Sequence, residues 1–250
     1  MTTSSSKPAT TGALPKTNDG PCTLTVDIGG TGIKMLPIDP NGQPKGDRVR
    51  ELTPVPAPPS AVMDVIGAML AEQANYDRVS VGFPGVVLHG VVRTAPNLGT
   101  EAWRNFDLQR AVATLAGKPT RVLNDADLQG YGVIHGRGVE LVFTLGTGLG
   151  TALFTDGRLI PNVEIGHHPV RKKLTYEQLV SNAMLERVGK KQWRENVWEV
   201  VASLEPIFNF ETLHIGGGNA KKLKGPFPPN VRIFDSAEGL AGGVRLWRDL

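Results

Sequence analysis

The 250-residue chain contains a single cysteine, Cys22. One thiol cannot close an intramolecular disulfide, and it cannot build a zinc site that needs several cysteines. Cys22 reads as a small, semi-buried residue opening a strand, in keeping with a reducing, cytoplasmic compartment. The sequence also lacks an apolar run of about 20 residues, the length that crosses a bilayer, so no membrane partner is expected. Residues 1–20, MTTSSSKPATTGALPKTNDG, have no apolar stretch of the kind found in a secretory signal. Their Ser, Thr, Pro and Gly content reads as a disordered tail. Neither the Walker pattern GxxxxGK[ST] nor the dinucleotide fingerprint GxGxxG stands at the glycine turns, which argues against P-loop and Rossmann folds.

What the chain does hold is enough apolar sequence, 40% of residues, for an ordinary buried core. Twenty-seven Lys and Arg against 24 Asp and Glu leave a formal charge of +3. The basic residues cluster in Arg171-Lys172-Lys173, Lys190-Lys191 and Lys221-Lys222-Lys224. Such runs are more often solvated faces than sites, and they are held in reserve as anchors for a polyanion.

Two stretches of the chain begin alike. Leu24–Ile28 is followed by Gly29-Gly30-Thr31-Gly32, a second strand from Ile33 to Ile38 and the turn Asn41-Gly42. Leu141–Leu145 is followed by Gly146-Thr147-Gly148-Leu149-Gly150, a strand from Thr151 to Phe154 and the turn Asp156-Gly157. An ungapped overlay sets Leu24 on Leu141, Gly29 on Gly146, Leu36 on Leu153 and Asp39 on Asp156. That offset is too long for a solenoid and suggests two related domains, divided here into residues 21–133 and 134–250. Helices are predicted near Ser60–Gln73, Leu108–Leu115, from Asn124-Asp125 onward, over Tyr176–Val188 and Lys191–Leu204, and as a closing helix Gly239–Arg248. Strands at Arg78–Gly82, Thr120–Leu123 and Thr212–Ile215 alternate with them, which implies an α/β architecture.

The glycine turns supply backbone N–H groups with no Cβ in a ligand's way, an arrangement that suits phosphate. Thr31 and Thr147 add hydroxyls, and Lys34 adds a cation. Gly216-Gly217-Gly218 after a third strand is a further such turn. Asp27, at the end of its strand, either orders a hydrated Mg²⁺ or caps its own turn. Asp125 stands at a strand tip, where α/β folds bind ligands, and is either a general base or a helix N-cap. Asp127 is its rival and also suits a helix first turn. Glu164 and His167 form a polar pair suited to sugar hydroxyls; a metal is the alternative, and His168 reads as a bystander.

The segments LTVDIGGTGIK (24–34), VGFPGVVLHGVVRTAPN (81–97), VLNDAD (122–127), TLGTGLGTALF (144–154) and EIGH (164–167) resemble the ROK family, and more narrowly its polyphosphate glucokinase branch. The resemblance implies two actin-like (ribonuclease H-like) domains with a cleft between them, and a homodimer. It implies that Asp27, Gly29, Gly30, Thr31 and Lys34 form the first phosphate motif, and Gly146, Thr147, Gly148 and Gly150 the second. By the same resemblance Gly216, Gly217 and Gly218 hold the adenosine end of a nucleotide. Asn124 contacts the sugar, Asp125 is the catalytic base, and Glu164, His167 and Glu177 are further sugar ligands. The partners expected are glucose and polyphosphate or ATP, with Mg²⁺ as cofactor. The Cys-rich zinc motif of typical members is missing from 168–174, so no structural zinc is expected. Only a short tail precedes the first phosphate loop, so a nucleic-acid partner is not expected. A kinase for mannose, fructose or an N-acetylhexosamine, and a non-catalytic sugar-binding protein, stay open as alternatives.

Overall fold

The structure is a computed structural model that describes residues 20–171 and 173–248; the tail expected over 1–20 lies, but for Gly20, outside the described residues. The first sheet is built from β1 (Thr23–Ile28), β2 (Ile33–Ile38), β3 (Val49–Glu51), β4 (Arg78–Phe83) and β5 (Thr120–Asn124). Their order is β3-β2-β1-β4-β5. The hairpin strands pair antiparallel, whereas β4 and β5 join in parallel. Helices α1 (Pro59–Ala71) and α2 (Leu108–Ala116) accompany it. Every residue of β1 is buried, as expected for a central strand covered on both faces. Val62, Ile66, Met69 and Leu70 form the buried stripe of α1, a helical spacing that meets the sheet along one face.

Helix α3 (Asp125–Val133) leads to the second sheet, made of β6 (Val139–Leu145), β7 (Leu149–Thr155), β8 (Arg158–Ile160), β9 (Thr212–Gly216) and β10 (Val231–Ile233). Its order is β8-β7-β6-β9-β10, again with antiparallel hairpin strands and parallel additions. The two sheets therefore share one topology, which is the duplication anticipated from the glycine turns.

Beyond the turns the ungapped overlay is off by one residue. In the first hairpin Thr25 faces Leu36, and in the second the corresponding Val142 faces Ala152. Leu36 thus corresponds to Ala152, one position short of Leu153, and the Asp39–Asp156 match slips with it. The cause is the turn, which has four residues between strands in the first hairpin and three in the second. A one-residue slip would turn each side chain to the opposite face, and Leu36 and Ala152 are indeed both buried.

Between β8 and β9 lie α4 (Tyr176–Val180) and α5 (Asn182–Phe208). The predicted division near Gly189 is present as a non-helical residue with φ 74° inside α5. A second break, at Ser181, is not anticipated from the sequence. Ser181 is extended and caps α5 by accepting the Met184 N–H at 3.2 Å. The closing helix is shorter than expected and divided into α6 (Ser236–Leu240) and α7 (Gly242–Arg245). Asp235 and Glu238 form a capping box that starts α6 further upstream.

These last helices return to the first sheet. Ser80 Oγ donates to the Gly243 carbonyl at 2.7 Å and accepts from Trp247 Nε1 at 2.8 Å. Arg78 and Arg121 flank the Trp247 ring at 4.9 and 4.6 Å. A cut at 133/134 therefore leaves the chain's end packed on the first sheet. Helix α3 sits between the two sheets: a Cβ on Gly130 would strike the Phe154 ring, and Gly82 of β4 approaches Leu128. Two glycines inside α3, Gly130 and Gly132, cost about 1 kcal/mol each in helix propensity. Their lack of a side chain permits close contact with Phe154 and Val142 of the second sheet and with the backbone of α6 and α7.

Candidate active site

Both glycine turns and the tip of β5 open onto one cleft of about 610 Å³. Every residue assigned from the sequence to phosphate, sugar or metal lines it, except Gly216. Gly216 ends β9 and is glycine for a packing reason, since a Cβ there would enter the Phe234 ring. Gly217, at φ 85°, and Gly218 do line the cleft.

The first turn closes with Gly29 N–H donating to the Gly32 carbonyl at 3.0 Å. Asp27 and Lys34 are cross-strand partners, and Lys34 Nζ lies 2.7 Å from Asp27 Oδ2. The second turn closes from Gly146 N–H to the Gly148 carbonyl at 3.1 Å. The turns face each other, because a Cβ on Gly30 would lie 3.9 Å from Thr147 Oγ1. Glu177, at the first turn of α4, reaches over Gly148 and accepts the Leu149 N–H at 3.3 Å.

At the entrance to α3 the N-cap position falls to Asn124 rather than to Asp125. Asn124 is the N-cap, accepting the Ala126 and Asp127 N–H groups at 2.8 and 3.1 Å. Its amide nitrogen donates to Glu164 Oε1 at 2.9 Å and to the Gly85 carbonyl at 3.3 Å. Asp125 is left as the first helical residue, half-buried, with Oδ1 accepting the Ala126 N–H at 2.8 Å. Burial, and then the charge of Asp27, push its carboxyl well above the ordinary aspartate range. Glu164 is also raised by burial, while His167, 3.4 Å away, pulls the other way.

Asp127, the rival, points elsewhere. It is fully buried, accepts the Asn162 N–H at 3.0 Å through Oδ2, and leaves Oδ1 without a partner. Burial raises it to about 7. Asn162 in turn brackets Val87, accepting its N–H and donating to its carbonyl, each at 3.1 Å. Asp127 thus ties α3 to the loop ahead of Glu164. His168 stacks on Tyr176 and stays out of the cleft.

Sequence reasoning passes over Arg48, Arg50 and Asn97, which also line the cleft. Asn97 closes the quoted stretch 81–97, and the alternation Arg48-Val49-Arg50 marks an edge strand; either was a usable signal. Among the described residues, one group of three side chains could hold a metal ion, His135, Glu140 and His214. It lies outside this cleft. The Glu140 carboxylate there already accepts N–H groups from His135 at 2.8 Å and Gly136 at 2.6 Å.

Two sheets of one topology with a cleft lined by paired glycine turns define the class: a two-lobed, actin-like α/β protein. Comparison with known proteins narrows it. The ROK family model matches residues 23–198, and the chain belongs to that family. It is 34% identical over 223 residues to a polyphosphate glucokinase of Mycobacterium tuberculosis (strain CDC 1551 / Oshkosh), covering 83% of this chain and 84% of the relative. The crystal structure of an inorganic polyphosphate/ATP-glucomannokinase from Arthrobacter sp. strain KM superposes with a TM-score of 0.82 at 29% identity, over 92% of this chain and 100% of that one. A ROK family glucokinase from Streptomyces griseus, in complex with glucose and AMPPNP, shares the fold at TM-score 0.77 and 22% identity, over 90% and 98% of the chains.

Proposed function

We propose that the chain is a glucokinase that transfers the terminal phosphoryl group of inorganic polyphosphate, or of ATP, to the 6-hydroxyl of glucose. The observation that carries this reading is Asp125. It is relieved of capping by Asn124 and set in the cleft where two phosphate-type turns meet. In the reaction Asp125 takes the proton of the 6-hydroxyl as that oxygen bonds to phosphorus. The bridging P–O bond breaks, and polyphosphate one unit shorter, or ADP, leaves. The turn N–H groups and Lys34 stabilise the phosphoryl oxygens, since such transfer depends mainly on positioning and charge neutralisation. Asn124, Glu164, His167 and Glu177 orient the sugar.

Asp27 lines the cleft beside the first phosphate-type turn, and a carboxylate there suits a hard cation that keeps most of its waters. Asp27 would hold the donor's Mg²⁺ through water, and that ion would supply charge neutralisation on the phosphates. The same reading includes two lobes, 21–133 and 134–250, that close on the acceptor with the returning C-terminal helices riding on the first. It also includes a cytoplasmic homodimer, supported by the lone cysteine and the family resemblance. Among the described residues no helix is long and apolar enough to cross a membrane.

The test is to assay the purified chain with polyphosphate and with ATP against glucose, mannose, fructose and N-acetylhexosamines. Phosphorylation of glucose, with Asp125→Asn lowering kcat by about 10²–10⁴-fold, is expected. Undiminished turnover by that variant would overturn the mechanism, and glucose binding with no transfer from either donor would favour the sugar-binding alternative. Mannose is the acceptor to watch, since the Arthrobacter relative is named a glucomannokinase.

A further inference from the structure

Arg48 and Arg50 stand at the mouth of the cleft, on and just ahead of the edge strand β3. Arg50 is directly opposite Lys34 in the β2–β3 pairing. Like charges facing each other across strands are destabilising, so the arrangement needs an anion to relieve it. Lys34 has Asp27. Among the described residues neither arginine forms an ion pair.

Each guanidinium nevertheless makes one hydrogen bond. A Cβ on Gly32 would lie 2.7 Å from Arg50 Nε, so the fork rests against the first phosphate-type turn, with Nη2 3.4 Å from the Thr31 carbonyl. Arg48 Nη1 donates to Ser236 Oγ at 2.6 Å. Each guanidinium carries five N–H donors, and these contacts use one apiece. The basic runs of the sequence contribute less. Arg171 is paired with Glu199, Lys222 is bonded to Asn219, and of their described members only Lys221 lines the cleft.

From this geometry we propose that Arg48 and Arg50 seat the inner phosphoryl units of a polyphosphate donor, along a path separate from that of a nucleotide. The proposal rests on polyphosphate being a donor. Beyond the reacting phosphate a polyphosphate chain remains anionic, whereas a nucleotide ends in an uncharged nucleoside. Gly217, Gly218 and Lys221 line the cleft from the second half of the chain, and Arg48 and Arg50 line it from the edge of the first sheet. The two donors can therefore diverge after sharing the turns. Planar guanidinium forks are the side chains best matched to phosphate oxygens.

The experiment compares kcat/KM for long-chain polyphosphate with that for ATP in the full chain and in Arg48→Gln, Arg50→Gln, the double variant and Arg50→Lys. For exposed charges the expected loss with polyphosphate is about threefold to fivefold for each single variant and ~10- to 25-fold for the double. The polyphosphate/ATP ratio should fall with it. The dependence of log(kcat/KM) on log(salt) should flatten by about 0.7 for each charge removed, as for other flexible polyanions; Arg50→Lys should keep the wild-type slope. Equal losses with both donors, no loss with polyphosphate, or an unchanged salt slope would overturn the proposal. If Arg50→Gln fails to fold, Arg48→Gln and the Arg50→Lys slope still decide it. Wild-type activity with ATP alone would instead refute the donor reading and take this proposal with it.

Discussion

Asp127→Asn should raise stability relative to wild type more at alkaline pH than at acidic pH. The Asp127 carboxyl is buried, with one oxygen on the Asn162 N–H and the other without a partner. Burial lifts it from an ordinary 3.8 to about 7. The folded protein therefore binds this proton over a range where the unfolded chain has released it, and stability falls as pH rises across that window. Each pH unit inside it costs about 1.4 kcal/mol, so roughly 4 kcal/mol is lost between about pH 4 and pH 8. Of that, about 1.4 kcal/mol falls between pH 6 and pH 8, because titration flattens near the folded value. The introduced amide would keep an oxygen for the Asn162 N–H and carries no charge at any pH. Urea unfolding of both proteins near pH 6 and near pH 8 measures the difference. The variant should gain on wild type by about 1 kcal/mol or more between the two conditions. A stability difference that is the same at both pH values would mean that Asp127 is ionised throughout, and that burial does not govern its proton.

Two further predictions concern the cleft. Glu164→Gln removes a negative charge that raises Asp125, so the acidic limb of the pH–rate profile should move to lower pH; a limb that stays in place would separate the two carboxylates electrostatically. Gly148→Ala would put a methyl group where the Glu177 carboxylate lies. That carboxylate is the far end of a flexible chain, so thermal stability should drop by only about 1 kcal/mol while the KM for the sugar rises several-fold. Gly146→Ala, which meets open space, is the control for stability, and equal destabilisation by both variants would contradict the steric account.

The parts of the site that were legible in the sequence are those encoded by adjacent residues. A glycine turn directly after an apolar strand, or Asn124-Asp125 at a strand tip, states its own local geometry, and both stretches fold as read. The choice between Asn124 and Asp125 as the cap was not legible, because both residue types cap helices equally well. It is decided by Glu164 and Gly85, far along the chain, which hold the Asn124 amide in place. The register slip in the second hairpin is hidden for a similar reason: one fewer turn residue changes no residue type, yet it reassigns each side chain beyond it. Ser181 interrupts an otherwise helical pattern with a residue that is inconspicuous until its hydroxyl is seen on Met184 N–H.

The return of Gly243 and Trp247 to Ser80, and the placing of Arg50 opposite Lys34, depend on which strands and helices become neighbours. No run of neighbouring residues encodes that. Arg48 and Arg50 illustrate the consequence. In sequence they are two cations in a short alternating stretch, less conspicuous than the lysine runs. In the fold β3 closes the edge of the first sheet and brings both to the phosphate-type turn, whereas most of the described residues of those runs do not line the cleft. If polyphosphate lies as proposed, strand pairing rather than charge density along the chain marks its path.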